Sequence, residues 1–98
     1  MNGVELIAKE RQRQIEELGY DYENDSLYAN NQLAEAAATY ALVPIINDVM
    51  TSKENGVPYL WPWDAKYYKP TTEDRVRELV KAGALIAAQI DYELNKQI

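Results

Sequence analysis

Residues 59–70, Tyr-Leu-Trp-Pro-Trp-Asp-Ala-Lys-Tyr-Tyr-Lys-Pro, constrain the fold of this chain more than any other stretch. They include both tryptophans and two of the four prolines, and they follow neither a helical nor a strand period. Pro62 fixes its own φ and favours extended backbone at Trp61. The sequence therefore predicts a rigid aromatic loop over residues 57–70.

A helical pattern precedes this loop. Residues 4–18 repeat apolar side chains at helical steps, with Arg11 in the middle of the stripe. Residues 31–43 are rich in alanine and strongly favour a second helix. Pro44 is expected to end or kink that helix and to leave a short helical turn near residues 45–50.

A third helix is predicted over residues 72–95, capped by Thr71 or Thr72, and Asn31 suits the cap of the second helix. We expect the apolar stripe of the third helix to be packed, with Gly83 allowing close approach to the alanine face of the second. The stripe consists of Val76, Leu79, Val80, Gly83, Ile86, Ala87, Ile90 and Leu94. The pattern predicts one all-α domain, residues 1–98, with three main helices.

Composition narrows the possible chemistry. A formal charge of −6 argues against nonspecific binding to nucleic acid or to an anionic membrane. The absence of cysteine excludes disulfides and thiol nucleophiles, and the absence of histidine removes the usual acid/base and the commonest metal ligand. We predict no cofactor and favour a role without catalysis; any catalysis would rest on carboxylates that hold Mg²⁺.

Two expectations concern the surroundings of the chain. A helical domain of 98 residues has a thin core, so we predict a homo-oligomer. The first residues lack a basic start followed by an apolar run, and no apolar stretch is long enough to cross a bilayer. We therefore expect a cytoplasmic protein with no membrane partner.

Charged residues near the first two helices leave alternatives open. Arg11 either snorkels at the edge of its stripe or is buried, and a buried guanidinium needs a carboxylate such as Asp25 or Glu35. Glu35 either faces solvent or an arginine, or points into a ligand pocket. Asp21, Glu23 and Asp25 have the spacing that opens a calcium loop, but the later ligands are missing, so we interpret them as a solvated loop.

The aromatic loop and its neighbours suggest a ligand site. An indole face can stack on a nucleobase, and nearby cations suit phosphate; alternatively, the tryptophans fill a gap between helices and the cations pair with acids. We predict a pocket between the first helix, the loop and the start of the third helix, with Arg11 and Glu35 as a buried pair at its floor. The predicted ligand-binding residues are Trp61, Trp63, Lys69, Arg75, Arg77, Arg11 and Glu35.

Five stretches together form a recognisable pattern. These are Glu-Arg-Gln-Arg-Gln at 10–14, Leu-Ala-Glu-Ala-Ala-Ala-Thr-Tyr-Ala at 33–41, Trp-Pro-Trp-Asp at 61–64, Lys-Pro at 69–70, and residues 75–85. With them the chain resembles a family of small phage and prophage proteins over nearly its whole length. The resemblance implies a phage-encoded, all-helical accessory protein, and we expect it in the host-cell cytoplasm.

Three functions suit such a protein. The first, by functional analogy with phage anti-defence sponges, is sequestration of a nucleotide-derived signal, which needs only aromatic and cationic groups. The second is a MazG-like Mg²⁺-dependent nucleotide pyrophosphohydrolase, although Glu16 and Glu17 lack a third Glu and Ala38 and Thr39 stand where an acid is needed near Glu35. The third is an acidic inhibitor that binds a host protein. We predict sequestration and keep the other two as alternatives.

Overall fold

In the computed structural model, the described residues are 1–18, 31–50, 57–71 and 73–96; for residue 18 and residues 43–50 only the backbone is described. This part of the chain contains helices α1 (Gly3–Leu18), α2 (Gln32–Met50) and α3 (Arg75–Lys96), with a short 3₁₀ turn at Ala65–Tyr67. The predicted all-α, three-helix fold is confirmed. The predicted acidic loop at Asp21, Glu23 and Asp25 lies outside the described residues.

The start of α1 is fixed by a reciprocal cap. The side chain of Asn2 accepts a hydrogen bond from the backbone N–H of Glu5 at 2.9 Å, and the Glu5 carboxylate accepts one from the N–H of Asn2 at 3.0 Å. This capping box satisfies two backbone donors that a helix leaves open at its first turn. It explains why α1 begins at Gly3.

The start of α2 is capped by another helix. Asn31 precedes α2 with a φ of 70°, a left-handed conformation that asparagine tolerates, and its carbonyl accepts from the N–H of Glu35. The N–H of Ala34 donates to the side-chain oxygen of Gln89 on α3, at 3.1 Å. The side chain of Gln89, from another helix, therefore accepts the hydrogen bond that we predicted the side chain of Asn31 to accept.

The predicted second helix and the predicted helical turn after Pro44 join into one helix that ends at Met50. Proline inside a helix removes one backbone hydrogen bond and costs about 3 kcal/mol. The turns that precede Pro44 contain five alanines and two leucines, which are among the strongest helix formers. Their propensity helps to offset the cost of the proline.

The start of α3 differs from the prediction. Asp74 provides the cap, since its carboxylate accepts from the N–H of Arg77 at 3.0 Å. Of the two predicted caps, Thr72 is outside the described residues, and Thr71 hydrogen bonds to side chains of α3 instead. The helix accordingly begins at Arg75 rather than at residue 72.

The core lies where α2, α3 and the aromatic loop meet. Helix α3 packs against both α1 and α2. Alanines on α2 and α3 face each other, which allows the helices to approach closely, and the loop adds its larger side chains. The core residues are Leu33, Ala36, Ala37, Tyr40, Val57, Trp61, Ala82, Leu85 and Ala88.

The apolar stripe of α3 is not packed as we predicted. Five of its members are between 44% and 61% exposed: Val76, Leu79, Ile86, Ile90 and Leu94. The alanine face of α2 packs instead against Ala82, Leu85 and Ala88, on another face of α3. Gly83 does allow a close approach, but to Ile7 of α1: a Cβ on Gly83 would lie 2.5 Å from the Cδ1 of Ile7.

Candidate functional site

The aromatic loop folds around Trp61, which is 2% exposed. The indole N–H of Trp61 donates to the carbonyl of Asp64 at 3.1 Å. Three rings surround the indole with centroid distances of 5.2–5.4 Å: Tyr40 and Trp63 meet it edge-on, and Tyr68 is tilted against it. Such edge-to-face contacts stabilise the arrangement beyond simple burial. Trp61 therefore fixes the shape of the loop.

Trp63 has a different position from its neighbour. It is only partly buried, and its indole N–H lies 3.4 Å from the side-chain oxygen of Gln32 at the start of α2. Its ring is oriented by the contact with Gln32 and by the edge-on contact with Trp61. Of the two alternatives for the tryptophans, gap filling describes Trp61, whereas Trp63 lines a cavity.

That cavity, here called the aromatic cavity, has a volume of about 510 Å³. It lies between α1, the aromatic loop and α3, with one ring from α2. Its aromatic lining is Tyr40, Trp61, Trp63, Tyr67 and Tyr68, and its cationic lining is Arg13, Lys69, Arg77 and Lys81. The aromatic cavity therefore occupies the place where the sequence predicts a pocket.

Glu10 of α1 holds two of these cations in place. Its carboxylate is 3% exposed and receives two bonds from Arg13, at 2.8 and 2.9 Å, one from Gln14 at 3.2 Å, and an ion pair from Arg77 at 2.7 Å. Burial alone would raise the pKa of Glu10, but the hydrogen bonds and charges of Arg13 and Arg77 outweigh it and lower the pKa below its ordinary value. Glu10 is ionised and joins α1 to α3.

Lys81 ties the loop to α3. Its ammonium donates to the carbonyl of Lys69 at 2.6 Å and to the hydroxyl of Thr71 at 3.3 Å, and it lies 5.1 Å from the ring centroid of Tyr40. The carboxylate of Glu78 is 3.7 Å away. Burial lowers the pKa of Lys81, although the charge of Glu78 opposes the shift. The end of the loop is thereby held against the cavity.

The aromatic cavity is locally positive. Among the described residues, four cations and one carboxylate, Glu10, line it, so this part of the lining carries a formal charge of +3. The whole chain carries −6. Because charges of one sign in a cleft concentrate the opposite ion there, the cavity favours a small anion even on an acidic protein.

A second hollow of about 670 Å³ lies between α1 and the start of α3 and shares Glu10, Arg13 and Arg77 with the aromatic cavity. Its other charged lining residues are Lys9, Glu16, Glu17 and Asp74, so its lining carries three cations against four acids. Among the described residues, no aromatic side chain lines it. Within the described ranges, no group of three or more acidic side chains lies close enough together to hold a metal ion.

The structure brings together four of the seven predicted ligand-binding residues: Trp61, Trp63, Lys69 and Arg77 all line the aromatic cavity. Arg75 does not join them. It is the first residue of α3, is exposed, and lies outside the lining.

Arg11 and Glu35 also lie outside the lining. Arg11 is buried, and its guanidinium meets the carboxylate of Asp91 on α3 at 3.4 Å. We predicted a carboxylate partner for it and named Asp25 or Glu35; Asp25 is outside the described residues. Glu35 is partly buried on α2.

Sequence reasoning missed Glu10 and Arg13 as parts of the site. A signal was present, because Glu10 and Arg13, like Glu78 and Lys81, are spaced three residues apart and so lie on one side of a helix. Such pairs are usually solvated, and nothing in the spacing shows that these two carboxylates are buried.

Comparison with known proteins found no family model, no curated protein and no solved structure that matches this chain. The resemblance to small phage proteins stays a prediction. None of the helices within the described residues combines the length and the apolar character needed to cross a bilayer.

Proposed function

We propose that this protein binds and sequesters a phosphate-bearing, nucleotide-derived small molecule in the aromatic cavity. The observation that carries the proposal is the combination, in one hollow, of accessible aromatic faces with a net positive lining. Its volume of about 510 Å³ falls within the usual range for small-molecule sites, about 300–1,000 Å³. Sequestration of a nucleotide signal, as by a phage anti-defence sponge, is the role that we propose for such binding.

Two side chains supply the stacking surface. Trp63 is partly exposed yet held in orientation by Gln32 and Trp61, so little side-chain entropy is lost when a ring stacks on it. Tyr67 is 55% exposed on the same cavity wall. Stacking of a nucleobase on an aromatic side chain contributes about 1–3 kcal/mol, which supports a planar ligand.

Two cations at the cavity are accessible to a phosphate. Lys69 is exposed, and about a third of the Arg77 side chain remains accessible beside its contact with Glu10. A guanidinium can offer several N–H groups to phosphate oxygens at once, and an ammonium adds a mobile point charge. Together they suit the anionic end of a nucleotide.

The environment of Glu10 supports binding rather than hydrolysis. This carboxylate lines the cavity, but its oxygens already accept from Arg13, Gln14 and Arg77. Its pKa lies below the ordinary value because the arginine contacts outweigh its burial. A general base needs a pKa near the working pH, and Glu10 is shifted in the opposite direction.

The proposal is tested by calorimetry and thermal shift with linear and cyclic nucleotides and ADP-ribose derivatives, with and without Mg²⁺, followed by analysis of the recovered ligand. We expect a phosphate-bearing nucleotide to bind and to be recovered unchanged, and its nucleoside to bind far more weakly. Each tenfold excess of ligand over Kd should add about 1.4 kcal/mol of apparent stability. A Mg²⁺-dependent product would instead favour the pyrophosphohydrolase alternative.

Two exposed lysines form a matched pair of variants. Lys69 lines the aromatic cavity, whereas Lys96 is the last residue of α3 and lies outside the lining. We expect Lys69→Ala to weaken nucleotide binding about tenfold, since a hydrogen bond to a charged group contributes roughly 1.5 kcal/mol, and Lys96→Ala to leave it unchanged. Equal effects of the two variants, or no binding of any phosphate-bearing nucleotide, would overturn the proposal.

A further inference from the structure

One face of α3 carries exposed aliphatic side chains from its first turn to its last, and Ile7 of α1 covers Gly83 in the middle of this face. Its five exposed members, Val76, Leu79, Ile86, Ile90 and Leu94, recur at helical spacing from the first turn to the last. At 3.6 residues per turn, Gly83 and Ala87 fill the remaining positions of this sector, so no charged side chain interrupts it. Single exposed aliphatic residues are ordinary, but a continuous row on one helix marks an interaction surface.

We propose that this surface, here called the α3 face, is the interface between two copies of the chain. The two α3 helices pair antiparallel about a two-fold axis that passes near residues 84 and 85. The proposal is independent of the aromatic cavity and its ligand.

The register of the α3 face is self-complementary in an antiparallel pair. A two-fold interface requires that if one residue contacts another, the reverse contact also forms. Val76 and Leu94 are placed symmetrically about residue 85, and Leu79 and Ile90 about the midpoint of residues 84 and 85. Large side chains of the two copies therefore fall opposite each other at both ends of the helix.

The centre of the α3 face combines a small residue with a large one. In the same register, Ile86 of one copy lies opposite Gly83 of the other. Ile7 of α1 packs directly over Gly83, so Ile86 would meet an apolar surface rather than a gap. The contact of Ile86 with Ile7, above Gly83 of the other copy, forms twice because of the two-fold axis.

The charges that flank the α3 face select the antiparallel direction. Arg75 and Glu93 are 18 residues apart, which is five helical turns, so they lie on the same edge of the helix. Arg75 is exposed, and the Glu93 side chain is 45% exposed beside the ammonium of Lys96, which lies 3.4 Å from its carboxylate. An antiparallel pair places Arg75 of each copy near Glu93 of the other, whereas a parallel pair places like charges together.

The first test is the mass of the full chain by sedimentation velocity over a series of protein concentrations. We expect twice the chain mass of 11.2 kDa for the wild type and a single chain mass for Leu79→Lys. Leu42→Lys is the matched control, because Leu42 is similarly exposed, 41% against 44%, but lies on α2. Circular dichroism verifies that both variants are folded. A wild type that remains a monomer, or a Leu79→Lys variant that remains a dimer, would overturn the proposal.

The direction of pairing is tested with disulfides, since the natural chain has no cysteine. We expect an equimolar mixture of Val76→Cys and Leu94→Cys chains to form the mixed disulfide on mild oxidation. Neither variant alone should cross-link, because the two copies of position 76 lie about 27 Å apart along antiparallel helices. Disulfides within each pure variant would show that the antiparallel arrangement is wrong.

Charge reversal provides an independent check. Arg75→Glu alone should raise the dimer dissociation constant, because it places a second carboxylate near Glu93 of the other copy. The double variant Arg75→Glu with Glu93→Arg should return the dissociation constant to the wild-type value. A double variant as weak as the single one would contradict the predicted contact.

Discussion

Glu10 and Glu78 are both almost completely buried, at 3% and 2% exposed, and their environments differ. Glu10 receives bonds from two arginines and a glutamine. Glu78 accepts from the N–H of Thr71 through one oxygen, at 2.7 Å, while its second oxygen has no hydrogen-bond donor within the described residues and lies 3.7 Å from the ammonium of Lys81. A buried charge is costly unless it is paired, so Glu10 is the better compensated of the two.

The stability of the protein should therefore depend on Glu10 at low pH. Its pKa in the folded state is below the ordinary value of 4.5, so the unfolded chain takes up the proton first as the pH falls. The stability that Glu10 contributes is complete above that ordinary value and is lost as the pH falls through the lowered pKa. We expect Glu10→Gln to be about 3 kcal/mol less stable at neutral pH and to lose less stability on acidification.

Urea unfolding of the wild type and of Glu10→Gln at a series of pH values measures this effect. Glu16→Gln is the control, since Glu16 is exposed on the same helix and hydrogen bonds to Gln12 rather than to the Glu10 cluster. Parallel stability curves for the wild type and Glu10→Gln would show that Glu10 does not carry the dependence.

At the residue scale, the aromatic half of the site could be predicted and the ionic half could not. Trp63 and Lys69 are close in sequence and lie on a loop made rigid by Pro62, so local geometry brings them together. Glu10 and Arg13 reach the same cavity only because α1 crosses α3, which is a tertiary event. Charged residues at helical spacing are usually solvated, and their pattern does not reveal this crossing.

At the scale of elements, α3 buries a face that its hydrophobic period does not indicate. The buried residues of α3 include Glu78, Lys81 and Gln89. Gln89 caps α2 at Ala34, and Lys81 binds the carbonyl of Lys69. These polar side chains are buried because each satisfies backbone groups of another element. A period based on apolar residues alone therefore assigns the α3 face to the core, although it is exposed.

The crossing of α1 and α3 depends on the absence of a side chain at Gly83. A Cβ there would lie 2.5 Å from the Cδ1 and 2.8 Å from the Cγ1 of Ile7, which is closer than packed atoms allow. We expect Gly83→Ala to destabilise the fold by about 1–3 kcal/mol through overpacking, although alanine favours a helix by about 1 kcal/mol.

Repeating Gly83→Ala in an Ile7→Ala variant separates the overpacking against Ile7 from the helix propensity of alanine. In Ile7→Ala the crowding is relieved, so Gly83→Ala should become stabilising by up to about 1 kcal/mol. Thermal or chemical unfolding of the four chains in this double-mutant cycle gives both values. The same sign for Gly83→Ala in both backgrounds would show that the contact with Ile7 does not limit the approach of the helices.

At the scale of the whole molecule, α1 is attached differently from the other two helices. The described hydrophobic core draws on α2, the aromatic loop and α3, and none of its members comes from α1. Helix α1 is held on α3 by the packing of Ile7 on Gly83 and by ion pairs of Glu10 and Arg11. Elements with few buried apolar contacts open at lower free energy than the core.

We therefore expect α1 to open before the rest of the molecule unfolds. In native-state hydrogen exchange, the amides of α1 should be less protected than those of residues 33–41 and 80–88, which belong to the core helices.

Arg77→Met removes the ion pair with Glu10 and should speed exchange in α1, by about tenfold for each 1.4 kcal/mol of α1 stability that is lost, without changing exchange in residues 33–41. Lys96→Met is the control, since Lys96 is exposed on the same helix and pairs with Glu93 rather than with a residue of α1. If all three helices exchange together and respond equally to Arg77→Met, then α1 unfolds with the core as one cooperative unit, and its polar attachment to α3 is as strong as the packing of α2.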